Sequence, residues 1–491
     1  MTDSRNFPSH DQVALIGLSE SWTISQFNSA SMTLADELRS TGVHVIASLL
    51  DNSPHWAVID NAAVLAGVVH VPIPLFFSKP QIDYVLHCTQ ADGLIISSTE
   101  AYEWLMSNKF QISILGKGFF LLQRPQTGAV LPEGTSKITF TSGTTGAPKG
   151  VCLNQRAMLD VANGVESALA TLNIKRHLSA LPFPVLLENV AGLLPAMLHG
   201  HTCIALPLAH VGLRGSSQFE PSLLDACIRT YEANSLILLP QMLASWTHWL
   251  QINHLKAPPS LTFVAVGGSS VGRKLIEDAR KKGIPAYEGY GLSEGASVQT
   301  LNLPKYESLG SAGRPLPHSK VRVTSENEIE ISGSLFLGYL GEPASWEQEW
   351  FPTGDLGRID EDGFVHITGR SKNIIITSFG RNISPEWVES ELREEDDIAQ
   401  AVVLGNNLPK LWAVIWPASG ADDKDIDIAI ESANQRLPDY ARIGHWVRAK
   451  HAFSAEQGMT TANGRPLRAS IETSHSVQAT DSQAGAIHAV L

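Results

Sequence analysis

The chain has 491 residues, of which 43% are apolar and 17% charged, and its formal net charge is −13. This length predicts roughly three domain-sized units, and the apolar fraction excludes a chain that is disordered throughout. The negative charge argues against a nucleic-acid-binding protein, because that class typically carries a basic surplus.

The cysteines and the terminal segments indicate a cytoplasmic protein. The four cysteines are scattered and form no CxxC pair, so we expect reduced, structural thiols. The polar start over 1–12 has no apolar stretch of the kind found in secretory signals. The most apolar long segment, 190–213, is interrupted by His199, His201, Pro207 and His210, which predicts buried core and no stable membrane insertion.

The first half of the chain alternates helical and strand-like segments. Helical patterns over 53–67 and 79–89 precede apolar runs over 68–72 and 93–97, and the same rhythm returns beyond residue 155. Strands that alternate with helices predict an α/β fold with parallel sheets. The later segments are helices at 156–172 and 223–233 and strands at 178–181, 235–239 and 261–266.

The pattern of predicted elements changes after residue 301. Short β-like runs at 320–323, 328–331 and 364–368 predict a smaller β-rich subdomain. A charged turn follows at 369–372, and a compact α+β unit of about a hundred residues follows the turn, a common domain size. We therefore predict a large N-terminal domain of αβ-layered sheets over 1–369 and a small α+β domain over 370–491.

A loop at 139–150 carries the clearest chemical signal. It contains five hydroxyl side chains, three glycines and one lysine, and apolar residues flank it on both sides. Glycines let backbone N–H groups approach an anion, and hydroxyls and a lysine add donors, so the pattern predicts a polyphosphate site between two strands. Pro148 and Gly150 exclude a Walker A sequence. A plain surface loop rich in glycine, serine and threonine is the alternative.

Four further segments fit a nucleotide-dependent reaction. The strand end at 266–269 offers flat backbone for a purine, and the segment 287–294 offers an aromatic ring, a hydroxyl and the carboxylate of Glu294, which is suited to Mg²⁺. Asp355 stands in a predicted turn and suits a ribose diol. Arg370 and Lys372 place two cations at the predicted domain junction.

Together these segments resemble the adenylate-forming superfamily, which includes acyl-CoA synthetases, nonribosomal adenylation domains and firefly-type luciferases. The resemblance runs from about Trp22 to Arg468 and is nearest to the long-chain acyl-CoA synthetases. It implies that a carboxylic acid reacts with ATP to form an acyl-adenylate, whose acyl group then passes to a thiol. The implied cofactors are ATP, Mg²⁺ and CoA, or the phosphopantetheine of a carrier protein. It also implies that the small C-terminal domain is mobile.

The resemblance implies a role for each matching residue. Lys149, Glu294, Arg465 and Lys372 are the implied catalytic residues, with Glu294 as the Mg²⁺ ligand and Lys372 at the hinge. Asp355 and Arg370 would grip the ribose. The other implied nucleotide-binding residues are Thr141, Ser142, Gly143, Thr144, Thr145, Gly146, Gly267, Gly268, Ser269, Glu288, Gly289, Tyr290, Gly291 and Ser293.

The chain departs from the family pattern at Arg465. The family's late motif ends in a lysine, and here the sequence reads Asn463-Gly464-Arg465. Arginine keeps the charge as a planar, bidentate fork, so the exchange is not conservative. Three interpretations remain: Arg465 replaces the lysine, Arg468 or Lys450 supplies the cation, or adenylation is weak and the scaffold serves another reaction.

A second departure concerns the wall of the acyl pocket. The segment 181–189 resembles the Leu-Pro-Leu-x-His-x-Phe-Glu-Arg stretch of long-chain synthetases, which lines that pocket. Val185, Leu187 and Asn189 stand in place of histidine, phenylalanine and arginine, and Glu188 is kept. We expect these four residues to bind the substrate, and the apolar exchange favours an apolar, fatty acid. For Val185 and Leu187, plain core packing is the alternative.

Rival functions remain open from the sequence. Two G-x-S-x-G patterns, at 268–272 and 291–295, allow a serine hydrolase. Arg465 allows a non-catalytic nucleotide sensor on the same fold. A carrier protein acting in trans, or an amine, could replace CoA as acceptor. The preferred interpretation is an AMP-forming acid–thiol ligase that acts on a small carboxylic acid.

Overall fold

The computed structural model describes residues 12–100, 103–106, 111–114, 118–123, 128–141, 148–215, 218–269, 271–379, 381–461 and 464–475. Within these ranges, no helix combines the length and the apolar character that a membrane span requires. The strands in chain order are β1 (Val13–Ile16), β2 (Ser21–Thr23), β3 (Val45–Leu49), β4 (Val69–Pro72), β5 (Gly93–Ile96), β6 (Gln111–Ile114), β7 (Phe120–Gln123), β8 (Lys137–Thr141), β9 (Lys149–Leu153), β10 (Arg176–Leu178), β11 (Thr202–Ile204), β12 (Leu213–Arg214), β13 (Gln218–Phe219), β14 (Ser235–Leu238), β15 (Phe263–Val266), β16 (Ala286–Leu292), β17 (Ser297–Leu301), β18 (Arg314–Pro315), β19 (Ser319–Val323), β20 (Glu328–Gly333), β21 (Gly338–Tyr339), β22 (Phe351–Ile359), β23 (Val365–Arg370), β24 (Ile375–Ile376), β25 (Asn382–Ile383), β26 (Ile398–Leu404), β27 (Leu411–Pro417) and β28 (Ile443–Arg448).

The helices follow the same order. They are α1 (Ile24–Thr41), α2 (Pro54–Ala66), α3 (Lys79–Cys88), α4 (Glu103–Met106), α5 (Gln155–Leu169), α6 (Leu186–Glu188), α7 (Leu194–His199), α8 (Pro221–Tyr231), α9 (Pro240–Ile252), α10 (Arg273–Lys281), α11 (Pro385–Arg393) and α12 (Asp423–Arg436), with a π-helix at Asn189–Leu193 between α6 and α7. A further helix covers 468–475. Short 3₁₀ turns lie at Ala170–Leu172, Ser293–Gly295, Pro343–Ser345, Ser371–Asn373 and Asp439–Ala441.

Two large sheets form the N-terminal part of the chain. One has the order β18-β17-β16-β15-β14-β10-β11-β1-β2, and the other has the order β21-β9-β8-β4-β3-β5-β7-β6. Their central strands are parallel, as the alternating pattern predicted, and antiparallel strands complete the edges. Because parallel sheets need covering on both faces, their strands are buried runs of apolar residues, such as the fully buried β3.

Local sequence signals explain where the connecting helices begin and end. Helix α2 begins after Ser53, whose side chain accepts a hydrogen bond from the backbone N–H of Trp56, and it ends at Gly67 in the left-handed conformation at φ +73°. Trp56 then packs on Phe183 with ring centroids 5.1 Å apart, within a core that also holds Leu15 of one sheet and Ile46 of the other. The helices are therefore held between the sheets by buried apolar area.

The predicted β-rich subdomain is an antiparallel sheet of order β19-β20-β22-β23. Its register places Asp355 of β22 directly opposite Arg370 of β23. Since side chains directly opposite each other on neighbouring strands lie close together, this pairing brings the two residues that were predicted to grip the ribose to one place.

The C-terminal part is an α+β unit built on the sheet β26-β27-β28 with α11 and α12. It touches the larger part at several points. Lys274 of α10 forms an ion pair with Asp396, and the Ser384 hydroxyl donates a 2.7 Å hydrogen bond to the carbonyl of Thr368. The predicted boundary between Gly369 and Arg370 stays a prediction.

Two sequence-based element assignments differ from the structure. The strand expected at 178–181 runs instead over Arg176–Leu178 as β10. Asp355, expected in a turn, lies inside strand β22. The segment 190–213 is largely buried, as predicted, and contains most of the π-helix, then α7 and β11. Apolar composition reports burial well, but it does not distinguish a short helix from a strand.

Candidate active site

The segment predicted to be the phosphate loop connects β8 and β9, and these two strands pair antiparallel. Thr141 at the end of β8 lies opposite Lys149 at the start of β9. The predicted loop residues Ser142, Gly143, Thr144, Thr145 and Gly146 lie outside the described residues. The two described ends therefore show the strands that the sequence predicted, and the predicted phosphate contacts remain untested.

Lys149 is held by two residues that the sequence analysis missed. Its Nζ lies 3.2 Å from Oε1 of Glu342 and 4.6 Å from the ring centroid of Tyr339. Strand β21, which carries Tyr339, pairs with β9 almost two hundred residues earlier in the chain, with Tyr339 opposite Val151. No local spacing rule could have found this contact, because it depends on strand pairing over that separation.

Glu294 lies in the 3₁₀ turn that follows β16. The hydroxyl of Tyr339 donates a 2.8 Å hydrogen bond to its Oε1 atom. The described residues contain no cluster of three or more histidine, cysteine or acidic side chains that could hold a metal ion. Mg²⁺ in nucleotide enzymes is typically held by one or two carboxylates and by substrate phosphates. The single carboxylate of Glu294, whose Oε1 atom accepts from Tyr339, fits that ion.

Asp355 is the centre of a polar cluster. The Tyr290 hydroxyl donates a 2.7 Å hydrogen bond to its Oδ2, and Nε of Arg370 lies 2.5 Å from its Oδ1. Burial, and next the negative charge of Asp355, raises the pKa of Tyr290, so this hydroxyl stays protonated and donates. Burial lowers the pKa of Arg370, but the attraction of Asp355 outweighs that effect and the net shift is upward.

The glycines of the predicted adenine pocket have packing reasons of their own. A Cβ at Gly267 would lie 2.9 Å from the carbonyl oxygen of Gly289, and a Cβ at Gly291 would collide with the backbone of Ser297 on β17. Gly268 has φ +88°, which side-chain-bearing residues rarely adopt. Local packing or backbone conformation therefore accounts for these three glycines, and the adenine contact stays a prediction, while Ser269 and Ser293 keep partial exposure.

Glu288 lies on β16 beside the pocket. Burial raises its pKa to about 8, and a hydrogen bond from the backbone of Val271 and the positive charge of Arg393 only partly oppose that rise. Arg393 ends helix α11 of the C-terminal unit. Glu288 therefore faces the contact between the two parts of the chain, a role that its neighbours in sequence did not predict.

Charges of the same cluster also act on Arg465 of the C-terminal unit. Burial, and next the positive charge of Arg370, lowers its pKa, while Asp355, Tyr290 and Glu294 act in the opposite direction. Its neighbour Gly464 has φ +76° and sits so close to the side chain of Gln241 that a Cβ there would collide. The C-terminal loop thus fits closely against helix α9.

The two alternative cations are placed differently. Nη2 of Arg468 lies 3.1 Å from Oε1 of Glu386 and 3.0 Å from Oε2 of Glu389, so α11 already neutralises it. Lys450 is exposed at the end of β28. Lys372 is exposed in the 3₁₀ turn after β23, at the predicted junction. Because Arg468 is already paired and Lys450 is exposed, Arg465 remains the predicted replacement for the family lysine.

The predicted acyl-pocket wall divides into two pairs. Val185 and Leu187 keep partial exposure. Glu188 is fully buried and accepts a 2.8 Å hydrogen bond from Nε2 of His177, and Asn189 bonds to Lys137 and Asp60. The side chains of Glu188 and Asn189 therefore turn into the interior, which corrects the expectation that they line the pocket: they support the wall from behind.

A buried charged network lies behind this wall. Nζ of Lys137, at the start of β8, lies 2.9 Å from the carboxylate of Asp60, whose Oδ1 lies 2.7 Å from Nδ1 of His70. Nε2 of His70 lies 2.8 Å from the Ser48 hydroxyl. Burial raises the pKa of Asp60, but Lys137 and His70 together bring it well below its usual range, while burial lowers the pKa of His70.

The comparison with known families decides the identity. Residues 3–338 match the family model described as AMP-binding enzyme, and residues 372–478 match the AMP-binding enzyme C-terminal domain. The chain belongs to the AMP-binding enzymes. The resemblance to the adenylate-forming superfamily is confirmed, and the serine hydrolase alternative loses its support.

Known relatives of this AMP-binding enzyme are acid–CoA ligases. It is 28% identical over 429 residues to the long-chain-fatty-acid–CoA ligase FadD15 of Mycobacterium bovis, covering 73% of this chain and 70% of that protein. It is 28% identical over 394 residues to the 2-succinylbenzoate–CoA ligase of Bacillus velezensis, covering 74% and 75%. These relatives agree with the prediction of an acid–thiol ligase.

Solved structures confirm the predicted α/β fold with its C-terminal unit. O-succinylbenzoate coenzyme A synthetase of Bacillus subtilis, solved with ATP and a magnesium ion, superimposes with a TM-score of 0.75 at 23% identity, covering 94% of this chain and 97% of that one. At this identity the likeness shows the fold, and the substrate has to be argued from the site.

Proposed function

We propose that this AMP-binding enzyme activates an apolar, fatty-type monocarboxylic acid with Mg·ATP and transfers the acyl group to the thiol of CoA. One observation carries the proposal: Arg465 of the C-terminal unit lies near enough to Arg370, Asp355, Tyr290 and Glu294 for their charges to act on its guanidinium group. Two neighbouring guanidinium groups repel each other, so this arrangement is suited to an anion between or beside them.

The first half-reaction needs positive charge where negative charge accumulates. The acid's carboxylate oxygen attacks the α-phosphorus of ATP, a new O–P bond forms, and the bond to the pyrophosphate leaving group breaks. The planar fork of Arg465 can donate to the carboxylate and to the α-phosphate at the same time. A bound Mg²⁺, held by Glu294 and phosphate oxygens, would neutralise the leaving group.

Asp355 has capacity left for the ribose. An ionised carboxylate offers about four lone-pair positions, and Tyr290 and Arg370 use three of those on Asp355. A ribose hydroxyl can take the remaining position, and the surrounding donors fix the carboxylate in one orientation. Because these dipoles and charges are already oriented, little energy is needed to reorganise them during the reaction.

The second half-reaction calls for a different set of groups. The thiol sulfur attacks the acyl carbon, the bond to the AMP oxygen breaks, and the thiol proton leaves. Lys372 is exposed next to the junction, and the C-terminal unit is held to α10 by the Lys274–Asp396 ion pair on the surface. Pairs of this kind are weak, so breaking this ion pair in a hinge movement that exchanges groups over the site costs little.

The wall of the pocket favours a monocarboxylic, apolar acid over a dicarboxylic aryl acid. Val185 and Leu187 offer apolar surface, and the charged side chains behind them are already paired: Lys137 with Asp60, and Glu188 with His177. A second carboxylate in the pocket would need its own cation. The described side chains of the segment 181–193 include no basic one.

The aryl alternative rests on the second relative, whose name gives 2-succinylbenzoate as its acid. A carrier protein in trans or an amine as acceptor, a catalytically reduced homologue and a cytoplasmic location remain predictions. The substrate class and the catalytic competence can be tested by measuring acid-dependent formation of AMP and pyrophosphate. The acids are fatty acids of graded length, aryl monocarboxylic acids and aryl dicarboxylic acids, each with and without CoA.

We expect pyrophosphate release with fatty acids and AMP turnover that rises when CoA is present. Release only with dicarboxylic aryl acids would contradict the fatty-acid proposal while keeping adenylation. ATP binding without release for any acid would contradict adenylation itself. Arg465→Met should reduce release by about a hundredfold or more. Arg442→Met serves as the matched control because Arg442 is exposed on the C-terminal unit and donates to the Leu437 carbonyl of the same unit.

A further inference from the structure

Tyr339 connects two predicted site residues that come from different parts of the chain. Its hydroxyl donates a 2.8 Å hydrogen bond to Oε1 of Glu294, and its ring lies under the ammonium of Lys149, 4.6 Å from Nζ to the centroid. One side chain therefore contacts the predicted magnesium carboxylate through its polar end and the predicted phosphate lysine through its face.

The ring is fixed in place from several sides. The backbone N–H of Tyr339 donates a 2.8 Å hydrogen bond to the Ser345 hydroxyl, and Nε1 of Trp346 donates a 3.0 Å hydrogen bond to its carbonyl. The ring of Phe336 meets it edge to face at 5.0 Å. A side chain held in this way can impose its geometry on mobile neighbours such as a lysine.

We propose that Tyr339 is a positioning residue for Mg·ATP: its hydroxyl orients the Glu294 carboxylate, and its ring holds the Lys149 ammonium beside the phosphate site. The inference rests on the proposed function, since it takes Glu294 and Lys149 as ligands of the nucleotide. It adds a residue that those assignments do not contain.

The chemistry of the contacts supports this role. A tyrosine hydroxyl is neutral near pH 7, and here it donates to Oε1 of Glu294. It binds one carboxylate oxygen and leaves the other free for a cation. The ring face attracts the ammonium without neutralising it. Glu342, 3.2 Å from the ammonium, supplies an anion at this position, and a phosphate can replace it.

Binding of ATP at graded Mg²⁺ concentrations, measured by calorimetry without any acid, tests the proposal. Tyr339→Phe keeps the ring and loses the hydroxyl, so the Mg²⁺ concentration for half-maximal ATP binding should rise about three- to tenfold. ATP affinity at saturating Mg²⁺ should stay unchanged. Tyr339→Leu should also weaken ATP binding at saturating Mg²⁺ by about two- to fivefold, because the ring is lost.

Controls separate this inference from the proposed function. In a Glu294→Gln background, Tyr339→Phe should have no further effect on the Mg²⁺ dependence. Tyr306→Phe, at a tyrosine that is 63% exposed, should leave binding unchanged. Unchanged Mg²⁺ dependence in Tyr339→Phe would overturn the inference. Unchanged binding in both Glu294→Gln and Lys149→Met would overturn the site assignment on which it rests.

Discussion

Tyr290 donates a 2.7 Å hydrogen bond to Oδ2 of Asp355, the same oxygen that Nη2 of Arg370 approaches to 3.3 Å. The buried carboxylate is therefore both the acceptor for a partly buried tyrosine and the counter-ion for a partly buried arginine. Asp355→Asn keeps the shape and removes the charge, which leaves Arg370 and Arg465 facing each other without compensation. We expect ATP affinity to fall at least about tenfold and the melting temperature to fall as well, because uncompensated buried charge is costly.

Calorimetric ATP binding and thermal unfolding check this prediction together. Asp362→Asn is the matched control, since Asp362 lies on the exposed turn that joins β22 to β23. An Asp355→Asn variant with unchanged ATP affinity and a lower melting temperature would limit Asp355 to a structural role.

Arg465 gives the sharpest test of the departure from the family pattern. Arg465→Lys keeps the positive charge and loses the planar fork, so we expect acid-dependent pyrophosphate release to stay within about tenfold of the parent. Arg465→Met loses the charge and should reduce release by about a hundredfold or more, as with the loss of an oxyanion donor. Equal rates in Arg465→Met and the parent protein would show that another group supplies the charge.

The raised pKa of Glu288 predicts that the stability of the fold depends on pH. Because its pKa is raised in the folded state, folding favours the protonated form, and the folded state loses stability as the pH rises from about 4.5 towards about 8. Glu288→Gln cannot ionise and should avoid that loss. Since part of Glu288 remains exposed, we expect the variant to gain about 1–2 kcal/mol over the parent at pH 9 and nothing at pH 4.5.

Thermal unfolding of both proteins between pH 4.5 and pH 9 measures the difference. Glu361→Gln, at an exposed position of the β22–β23 turn, is the control and should follow the parent at every pH. A constant difference between Glu288→Gln and the parent across the range would contradict the assigned titration.

The buried network behind the acyl wall predicts a large change in stability. Lys137→Met leaves Asp60 as an uncompensated buried carboxylate and should lower the free energy of unfolding by about 3–5 kcal/mol. The double variant Lys137→Met/Asp60→Asn removes both charges and should recover part of that loss. Because the pKa of Asp60 is lowered in the fold, the parent's advantage should be present at neutral pH and decline below about pH 4.

Denaturant unfolding of the single and double variants measures these changes. The acid KM of the single variant adds a second readout, since Lys137 bonds to Asn189 at the start of the π-helix behind the wall. A double variant less stable than Lys137→Met would show that the network contributes more than charge compensation.

Much of the fold follows from sequence because its signals are local. The alternation of strands and helices, the Ser53 cap and the glycine at position 67 are read directly from neighbouring residues, and the structure confirms the parallel sheets that they predict. Predicted element boundaries differ from the observed ones where only composition was available, as in β10, which ends at Leu178. The short π-helix had no local signal, since apolar residues fit any buried element.

The candidate site shows the same difference between residues with a local sequence signal and residues without one. Asp355, Arg370 and Glu294 were predicted from short local motifs, although only Glu294 lies in a turn: Asp355 lies in β22 and Arg370 ends β23. Tyr339 and Glu342 were missed because only the pairing of β21 with β9 brings them to Lys149. Glu188 and Asn189 were assigned to the pocket by likeness to a pattern, but burial and hydrogen bonding, which no pattern of residue types reveals, turn them inward.

Ser48, His70 and Asp60 have a consequence beyond stability. The hydroxyl lies 2.8 Å from one imidazole nitrogen and the carboxylate 2.7 Å from the other, the geometry by which serine nucleophiles are recognised. A comparison of three-residue constellations would place this chain among the hydrolases. Ser48 has no accessible surface, so no scissile bond can arrive. Access from solvent, and not the arrangement of the three side chains, separates a nucleophile from a packing contact.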